Sequence, residues 1–451
     1  MNHVIVALNA IAYIIPLVLY YKKKKQIDIG FLFYTIFAVS AIGSFWYYSL
    51  EDVDLYYPNI GIVAFVYLWI MINLCLLPLY QTDLKKITYI DDRGIAPLLN
   101  VLSIMFVLLS LLPIVSLLSK ISLSMFVGND LGRMYESDAD KAALYFSGIS
   151  KYCFALIRRF EDILIILFFY QLSKAKKNWK LIYAMWLPIG LFVLFKVVSG
   201  SRGGVMSTFI AFFAMALFLK NTFKEKTFAY IKRVGIFFTS FIIIVVSAIS
   251  ISRFFFSISV QSSKATLDRW ISQYLGEGMI RFNNTVWNND LSMSGDQNLL
   301  FLKQLFGFDV IENYDAFMLF YEAKLKFPVN VFYTFIGDWV LDFGIWGTIP
   351  VAMLFYFVFK RLLTSYKSGV NVLQLTILMI IFHLIGFGFA ANVYRTIFIQ
   401  KDTMILIIFA VTIYLIQIMK RAKITPPHQL INIKYRLCTV ISHRVIKLCA
   451  I

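Results

Sequence analysis

The stretch LLNVLSIMFVLLSLLPIVSLL, at residues 98–118, contains no charged side chain. An apolar run of about 20 residues spans the hydrocarbon core of a bilayer as a helix, so this stretch predicts a transmembrane span. Similar runs recur along the chain and predict about eleven spans, within a range of ten to twelve. The other predicted spans are residues 4–21, 29–48, 60–80, 152–172, 181–198, 205–219, 235–252, 343–359, 372–389 and 403–418.

The composition agrees with a single helical bundle in a membrane. Of the 451 residues, 60% are hydrophobic and 15% are charged, whereas soluble domains average about 25% charged residues. A net charge of +18 would suggest nucleic-acid binding in a soluble protein. Here the basic residues fall in alternate connections, as the positive-inside rule describes. We therefore expect an all-α polytopic membrane protein without a nucleic-acid partner.

The alternation of charge along the connections predicts the orientation of the bundle. The basic connections share one side, which the positive-inside rule assigns to the cytoplasm: residues 22–25, 85–93, 174–180, 220–233, 360–367 and 420–423. The opposite side receives residues 51–54, 121–150, the turn at 199–204, a long loop at 253–342 and residues 391–402. The N-terminus is then outside and the C-terminus is cytoplasmic.

These features divide the chain into four segments. Residues 1–252 hold the first eight helices, 253–342 form a large external loop, 343–418 hold the last three helices, and 419–451 are a basic tail with the pattern of an interfacial helix. A loop this long is usually functional or disordered. Its apolar and aromatic content favours a folded, partly helical cap, with a ligand-binding cleft between the cap and the membrane.

The polar turn Gly200-Ser201-Arg202-Gly203-Gly204 separates two apolar runs on the predicted outer side. Glycines allow the main chain to come close to a ligand, and a guanidinium group binds phosphate oxygens through paired hydrogen bonds. The turn therefore predicts a site for an anionic, lipid-linked ligand. The alternative is a single interfacial arginine that contacts lipid phosphates.

Further ionisable side chains fall within predicted spans. Arg158, Arg159, Glu161 and Asp162 lie in the outer half of one span, where such groups usually face a cavity. The alternative is neutralisation within the helix, because Arg158 and Asp162 have the i, i+4 spacing of an ion pair. Lys196, near the outer end of the next span, either joins the site or extends to lipid headgroups.

Three carboxylates are candidates for a general base, since each could accept a proton from an attacking hydroxyl group. Asp338 and Asp342 would share one face of a helix, and Glu277 lies close to Arg281 in sequence. The alternative for the two aspartates is helix capping or retention of the loop on the outer side. His383 stands alone in an apolar run, where a histidine is more often a hydrogen-bonded packing residue than a catalyst. With four histidines in the chain, we expect no histidine metal site.

Three sets of short motifs on the predicted outer side resemble the bacterial oligosaccharide repeat-unit polymerases, the O-antigen polymerases of the Wzy type. The first motif is Gly200-Ser201-Arg202-Gly203, in a turn after a span. The second is Tyr274-Leu275-Gly276-Glu277, followed by Phe282-Asn283-Asn284. The third is Tyr333-Thr334-Phe335-Ile336-Gly337-Asp338, followed by Asp342-Phe343-Gly344-Ile345-Trp346-Gly347.

The resemblance implies a metal-independent glycosyltransferase without a cofactor, built as a GT-C-like bundle in the bacterial inner membrane. Its substrates would be undecaprenyl-pyrophosphate-linked oligosaccharides. The enzyme would move the growing glycan from its pyrophosphate lipid to a sugar hydroxyl of the next lipid-linked unit, during synthesis of O-antigen or capsule. A separate chain-length regulator and a flippase are the expected protein partners.

Such a reaction requires positive charge at the leaving pyrophosphate and a base at the acceptor hydroxyl. Arg202 is the first candidate for the pyrophosphate contact, and the further candidates are Arg158, Arg159, Lys196, Arg281 and Arg395. Two alternative functions remain. An O-antigen ligase usually places a histidine in its large outer loop, which this loop lacks. A flippase for lipid-linked oligosaccharides usually has internal repeats, and none is evident here.

Overall fold

The computed structural model describes residues 1–121, 141–199, 201–256, 267–329, 332–365 and 369–424. Over these ranges the regular secondary structure is helical apart from two short strands, β1 (Tyr89–Ile90) and β2 (Gly369–Val370), which pair in parallel. The helices are α1 (Asn2–Lys24), α2 (Ile29–Tyr48), α3 (Val53–Tyr56), α4 (Ile62–Gln81), α5 (Ala96–Lys120), α6 (Lys141–Tyr145), α7 (Gly148–Arg159), α8 (Glu161–Ser173), α9 (Trp179–Ala184), α10 (Trp186–Val198), α11 (Arg202–Phe218), α12 (Glu225–Phe256), α13 (Leu267–Arg281), α14 (Leu300–Leu305), α15 (Tyr314–Leu325), α16 (Phe335–Thr364), α17 (Val372–Gly386) and α18 (Ile397–Ile424). Single 3₁₀ turns occur at Leu84–Lys86 and Lys220–Thr222, and a π-helical turn occurs at Phe282–Val286.

Seven helices in the described part of the chain are long and apolar enough to cross a membrane. They are Asn2–Lys24, Ile29–Tyr48, Ile62–Gln81, Ala96–Lys120, Trp179–Val198, Phe335–Thr364 and Ile397–Arg421. Two shorter apolar helices, Gly203–Phe218 and Val372–Gly386, lie among them. The predicted all-α class with several membrane-crossing helices is confirmed, whereas the number of about eleven spans stays a prediction. The basic tail beyond Ile424 falls outside the described residues.

Helix breaks correct two of the predicted spans. Phe160, at φ −111° and ψ 24°, separates α7 from α8, so residues 152–172 are not one continuous helix. Met185, between α9 and α10, keeps helical dihedrals (φ −68°, ψ −13°), so Trp179–Val198 continues as one span. The predicted span at 343–359 begins earlier, at Phe335, and Gly344 interrupts it with φ 70° and ψ 173°. Glycine tolerates this left-handed conformation, whereas other residues are strained there. The break at Phe160 places Glu161 and Asp162 in the first turn of α8, where the helix dipole favours acidic side chains.

The connections that were predicted to share the cytoplasmic side lie together at one end of the bundle. Lys24 Nζ donates to the Thr82 carbonyl at 2.6 Å, which joins the ends of α1 and α4. Gln417 Nε2 in α18 donates to the Asp91 carbonyl at 2.7 Å, next to the pairing of β1 with β2. These contacts bring the connections at 22–25 and 85–93, the strand at 369–370 and the end of α18 together, and the orientation of the bundle stays a prediction.

The π-helical turn after α13 connects to the loop before α4 at the other end of the bundle. Asn283 Oδ1 accepts from the Gly61 amide and Asn283 Nδ2 donates to the Gly61 carbonyl, both at 2.7 Å. The neighbouring Asn284 Oδ1 accepts from the Asn59 amide at 2.8 Å. These bonds satisfy main-chain groups that lack a helical partner. The motif Phe282-Asn283-Asn284 thus anchors a loop.

Helix α13 packs against the side of α2 at an unusually short distance. A Cβ atom on Gly276 would lie 2.1 Å from the Ser44 amide nitrogen, and one on Gly43 would lie 2.7 Å from Leu275 Cβ. Ser40 Oγ donates to the Leu275 carbonyl at 2.8 Å, and Ser44 Oγ donates to the Gly276 carbonyl at 2.7 Å. Small residues allow this approach and serine hydroxyls stabilise it, as in other membrane helix pairs. This part of the predicted external loop is therefore packed into the bundle.

We expect Gly276→Ala to separate α2 from α13, because the added methyl group would meet backbone atoms that no rotamer change can move. Overpacking of this kind costs about 1–3 kcal/mol in unfolding free energy, which a thermal melt in detergent would detect as a lower Tm. Gly190→Ala in α10 is the matched control, because nothing lies within 4 Å of its added methyl group. Equal Tm values for the two variants would contradict the close contact.

Candidate functional site

The glycine-rich turn borders a large cavity between α11, α13 and the segment before α18. We call this space the turn cavity, and its volume is about 600 Å³. Its walls combine glycine and hydroxyl groups with aromatic rings and one arginine. They are formed by Ser201, Gly203, Gly204, Ser207, Tyr274, Phe332, Phe387, Ala391, Asn392, Val393, Arg395, Thr396 and Ile399.

A second, more polar space adjoins the turn cavity. This charged cavity has a volume of about 220 Å³ and shares Ser207, Val393 and Ile399 with the first. Its walls bring together basic and acidic residues from α7, α8, α10 and α18. The remaining wall residues are Arg158, Arg159, Glu161, Asp162, Lys196, His383, Tyr394, Asp402, Thr403 and Leu406. Arg158, Arg159, Lys196 and Arg395, which come from three separate parts of the sequence, therefore line two adjoining spaces.

The first turn of α11 gives the turn cavity an electropositive wall. Ser201 caps the helix, and its Oγ accepts from the Gly204 amide at 3.3 Å. The first amides of a helix lack intrahelical partners and carry the positive end of the helix dipole. A Cβ atom on Gly203 would lie 3.3 Å from Phe387 Cζ. Because glycine has no side chain, the helix backbone and the Phe387 ring can lie close together here. Gly200 and the Arg202 side chain lie outside the part of the structure that is described.

Two of the predicted cations are paired with acidic residues. Lys196 Nζ contacts both carboxylate oxygens of Glu161, at 2.7 and 2.8 Å, and also bonds to Thr208 Oγ1. Thr208 Oγ1 donates to Glu161 Oε1 at 2.6 Å. Arg159 Nε lies 3.1 Å from Asp402 Oδ1. The Lys196–Glu161 pair is largely shielded from solvent, whereas the Arg159 side chain is about half exposed.

Arg158 makes no ion pair with any residue that the structure describes. The predicted i, i+4 pair between Arg158 and Asp162 is absent, because α7 ends at Arg159 and α8 starts a new helix at Glu161. Asp162 instead contacts His383 in α17, with 2.8 Å between Asp162 Oδ1 and His383 Nε2. The structure thus favours the interpretation that these ionisable groups face a cavity.

A hydrogen-bonded chain of side chains crosses between the two cavities. His383 Nδ1 lies 3.0 Å from Ser207 Oγ in α11, on the opposite side of the ring from Asp162. Ser207 borders both cavities, whereas His383 and Asp162 border the charged one. The hydrogen bonds of His383 agree with its interpretation as a hydrogen-bonded packing residue, and its two partners also place it between the cavities.

Comparison of the chain with protein-family models, curated proteins and solved structures finds no match. The function is therefore inferred from the arrangement of the side chains around these cavities.

Glu277 and Arg281 lie in a third space, which we call the tyrosine cavity. Its volume is about 350 Å³, and its walls are Tyr47, Tyr56, Tyr57, Arg269, Gln273, Glu277, Arg281, Thr285, Phe327, Pro328 and Tyr333. Tyr274 and Phe332 line the turn cavity, and the residues beside them in sequence, Gln273 and Tyr333, line this one. The Tyr274 and Phe332 rings are in edge contact, with centroids 5.2 Å apart. This aromatic pair forms a wall between the two spaces.

The Glu277 carboxylate is the centre of a dense hydrogen-bond network in the tyrosine cavity. Its Oε1 atom accepts from Tyr57 Oη at 2.8 Å and from Gln273 Nε2 at 3.0 Å. Arg281 Nη2 lies 2.7 Å from the same oxygen, and Arg281 Nε donates to Tyr57 Oη at 3.1 Å. Burial raises the pKa of Tyr57, and the Glu277 carboxylate raises it further. Arg281 is therefore tied to Glu277 and does not join the cations of the charged cavity.

Asp338 and Asp342 are buried away from the walls of all three cavities. Asp338 accepts from Gln297 Nε2 at 2.8 Å and from the Asn392 amide at 2.5 Å. Asp342 Oδ2 accepts from both the amide and Nδ2 of Asn298, each at 2.6 Å. The two carboxylates fasten neighbouring loops to α16. Through Asn392, Asp338 also positions one wall of the turn cavity.

Sequence reasoning missed two polar wall residues, Ser207 and Asn392, and two polar residues that support the walls, Thr208 and Gln297. Ser207 and Thr208 lie inside an apolar span, and Asn392 and Gln297 lie in loops, where such residues are common. The one available signal is the pair of adjacent hydroxyl side chains a short distance after the glycine-rich turn, in an otherwise apolar helix. Their partners in α8, α10 and α17 are distant in sequence, so only the folded chain shows the network.

We expect Asp342→Asn to loosen the loop at 292–298. The new NH₂ group would face donors, so a buried hydrogen bond from Gln297 or Asn298 would be lost. Such a loss costs about 1–3 kcal/mol and should lower the Tm in detergent. Asp290→Asn, at an exposed position, should leave the Tm unchanged. An Asp342→Asn protein with the wild-type Tm and no enzymatic activity would instead favour a role as the base.

Proposed function

We propose that this protein is a membrane-embedded glycosyltransferase that joins lipid-linked oligosaccharide repeat units into a surface polysaccharide. The observation that carries the proposal is that the turn cavity and the charged cavity adjoin and share wall residues. An electropositive helix start, Arg395 and Arg158 border adjoining spaces in a bundle of apolar helices. This combination suits a ligand with an anionic group attached to a lipid.

The turn cavity is the proposed site of the pyrophosphate group. Backbone amides at a helix N-terminus bind phosphate oxygens, and the glycines at positions 203 and 204 allow the ligand to come close. Arg202 begins this helix, and Arg395 lines the same space. Positive groups that are fixed before the reaction stabilise charge that develops on a leaving group, often as the largest single contribution to catalysis. Departure of pyrophosphate would benefit in this way.

The tyrosine cavity is the proposed site of a sugar residue. Tyrosine rings offer an apolar face together with a polar hydroxyl, and sugar rings have both apolar faces and hydroxyl groups. Gln273, Glu277 and Arg281 add the polar contacts that fix orientation in ligand pockets. The wall formed by Tyr274 and Phe332 would separate this sugar from the pyrophosphate site.

The number of spans and the orientation of the bundle are part of the same proposal. We propose a GT-C-like bundle of about eleven spans in the bacterial inner membrane, with the N-terminus outside and the cavities open to the outer face. Undecaprenyl-pyrophosphate-linked oligosaccharides would be the substrates, and O-antigen or capsule the product. A chain-length regulator and a flippase would be its protein partners.

We expect Arg202→Ala and Arg158→Ala to slow polymerisation. Loss of one positive contact to developing charge typically lowers kcat about 10²- to 10³-fold. The assay measures a ladder of longer glycans made by the purified protein in liposomes from synthetic lipid-linked repeat units. Arg361→Ala, an exposed position near the far end of α16, is the matched control. Wild-type rates in both test variants would contradict the proposed pyrophosphate site.

The same liposomes distinguish the alternative functions. A ligase would transfer glycan to an added lipid A core acceptor without forming a ladder. A flippase would move a fluorescent lipid-linked repeat unit between leaflets without making a new glycosidic bond. Either result in wild-type protein, with no ladder, would replace the polymerase proposal.

A further inference from the structure

The side chains of Ser207, His383 and Asp162 form a continuous hydrogen-bonded chain that ends at the cavity walls. The distances are 3.0 Å between Ser207 Oγ and His383 Nδ1, and 2.8 Å between His383 Nε2 and Asp162 Oδ1. We propose that this chain, the Ser207 relay, accepts the proton of the acceptor hydroxyl in the glycosyl transfer. The inference rests on the proposed function and extends it to residues that the sequence did not identify as catalytic.

For an ionised Asp162 and a neutral His383, the hydrogen-bond pattern sets the direction in which a proton can move. An ionised carboxylate only accepts hydrogen bonds, so Asp162 requires a proton on His383 Nε2. In a neutral imidazole the other nitrogen is then an acceptor. His383 Nδ1 must therefore receive its hydrogen bond from the Ser207 hydroxyl. This is the arrangement in which a histidine draws a proton from a hydroxyl group while a carboxylate holds the ring in place.

The relay lies close to the proposed pyrophosphate site. Ser207 follows Arg202 by five residues in α11, which corresponds to about 7.5 Å along the helix axis. Ser207 is also one of the residues that the turn cavity and the charged cavity share. A hydroxyl group entering the turn cavity can therefore reach Ser207 beside the bound pyrophosphate. The side chains of His383 and Asp162 are only 14% and 16% exposed, so bulk water has little access to the chain.

The other carboxylates near the cavities are engaged differently. Glu161 is held by Lys196 and Thr208. Glu277 Oε1 receives three polar contacts in the tyrosine cavity, beyond the wall formed by Tyr274 and Phe332. Among the described residues, Asp162 is the carboxylate that connects through an imidazole to a hydroxyl on the turn cavity.

The proposed step transfers one proton and one glycosyl group. The acceptor oxygen forms a bond to the anomeric carbon as the bond from that carbon to the pyrophosphate oxygen breaks. Pyrophosphate leaves with the bonding electron pair. The acceptor proton passes to Ser207 Oγ while the Ser207 proton passes to His383 Nδ1. The products are the extended glycan, the lipid pyrophosphate anion and an imidazolium held by Asp162. The imidazolium returns its proton through Ser207 to water in the turn cavity before the next cycle.

The charged groups around His383 come from several elements and must be considered in any pH profile. Asp162 and Glu161 face it from α8, and Lys196 faces it from α10. Tyr394, which follows α17, interacts with Asp162. Because Lys196 is paired with Glu161, Asp162 is the group whose charge acts most directly on the imidazole.

The test compares His383→Gln and Asp162→Asn with the wild type in the liposome polymerisation assay. His383→Gln removes the proton acceptor, so kcat should fall about 10²- to 10⁴-fold while KM stays close to wild type. The wild-type rate should fall on the acid side as the imidazole becomes protonated, and His383→Gln should lose that dependence. Asp162→Asn should also lower kcat, because an amide can favour the wrong imidazole tautomer.

Controls separate the relay from a structural role. Ser110→Ala removes a buried hydroxyl that bonds within α5 and should leave the rate unchanged. Wild-type turnover in His383→Gln, with its acid limb intact, would overturn the relay and leave the polymerase proposal standing. If His383→Gln lowers the Tm, and if KM rises in proportion to the fall in rate, the result would assign His383 a packing role and overturn the relay. A wild-type protein that makes no ladder would overturn the proposed function itself.

Discussion

Where α2 and α13 cross, the two backbones are too close for any side chain larger than hydrogen at Gly276. The serine hydroxyls of α2 donate to carbonyls of α13 at this point, so the contact is polar as well as close. This close contact with α2 fixes the position of α13. One face of this helix presents Tyr274 to the turn cavity, while Gln273 and Glu277 line the tyrosine cavity. If α13 moved outward by the width of a methyl group, both cavities would change shape together.

The apolar bundle imposes a second constraint, because each ionisable group inside it needs a partner. Glu161 meets Lys196, and Asp162 meets His383. The charge of Lys196 is thus compensated within the protein and acts more weakly on a ligand than its sequence position suggests. The field that a bound anion would feel depends more on the start of α11 and on Arg158. The Arg159 contact with Asp402 ties α7 to α18 and closes one side of the charged cavity.

Sequence patterns predicted those parts of the fold that depend on local hydrophobicity. The bounds of α2 agree with the predicted span at residues 29–48, and α5 extends the run at 98–118 by only a few residues. The break at Phe160 was missed although Arg158, Arg159, Glu161 and Asp162 surround it, and Gly344 stands at the start of the predicted span at 343–359. The burial of Asp338 and Asp342 depends on loops that approach from elsewhere in the chain.

For the candidate site, residue types in the sequence indicated which cations to examine, and the fold determined how they are grouped. Arg158, Arg159, Lys196 and Arg395 border adjoining spaces, whereas Arg281 lies across an aromatic wall with Glu277. The chain from Ser207 to Asp162 could not be predicted, because it joins three helices whose relative rotation a single sequence does not specify.

Proton transfer along the chain from Ser207 to Asp162 would also change the electric field at the proposed pyrophosphate. When His383 accepts a proton, a neutral ring becomes a cation as negative charge develops on the leaving group, and the low dielectric of the bundle strengthens their attraction. Base catalysis and leaving-group stabilisation would then reinforce each other.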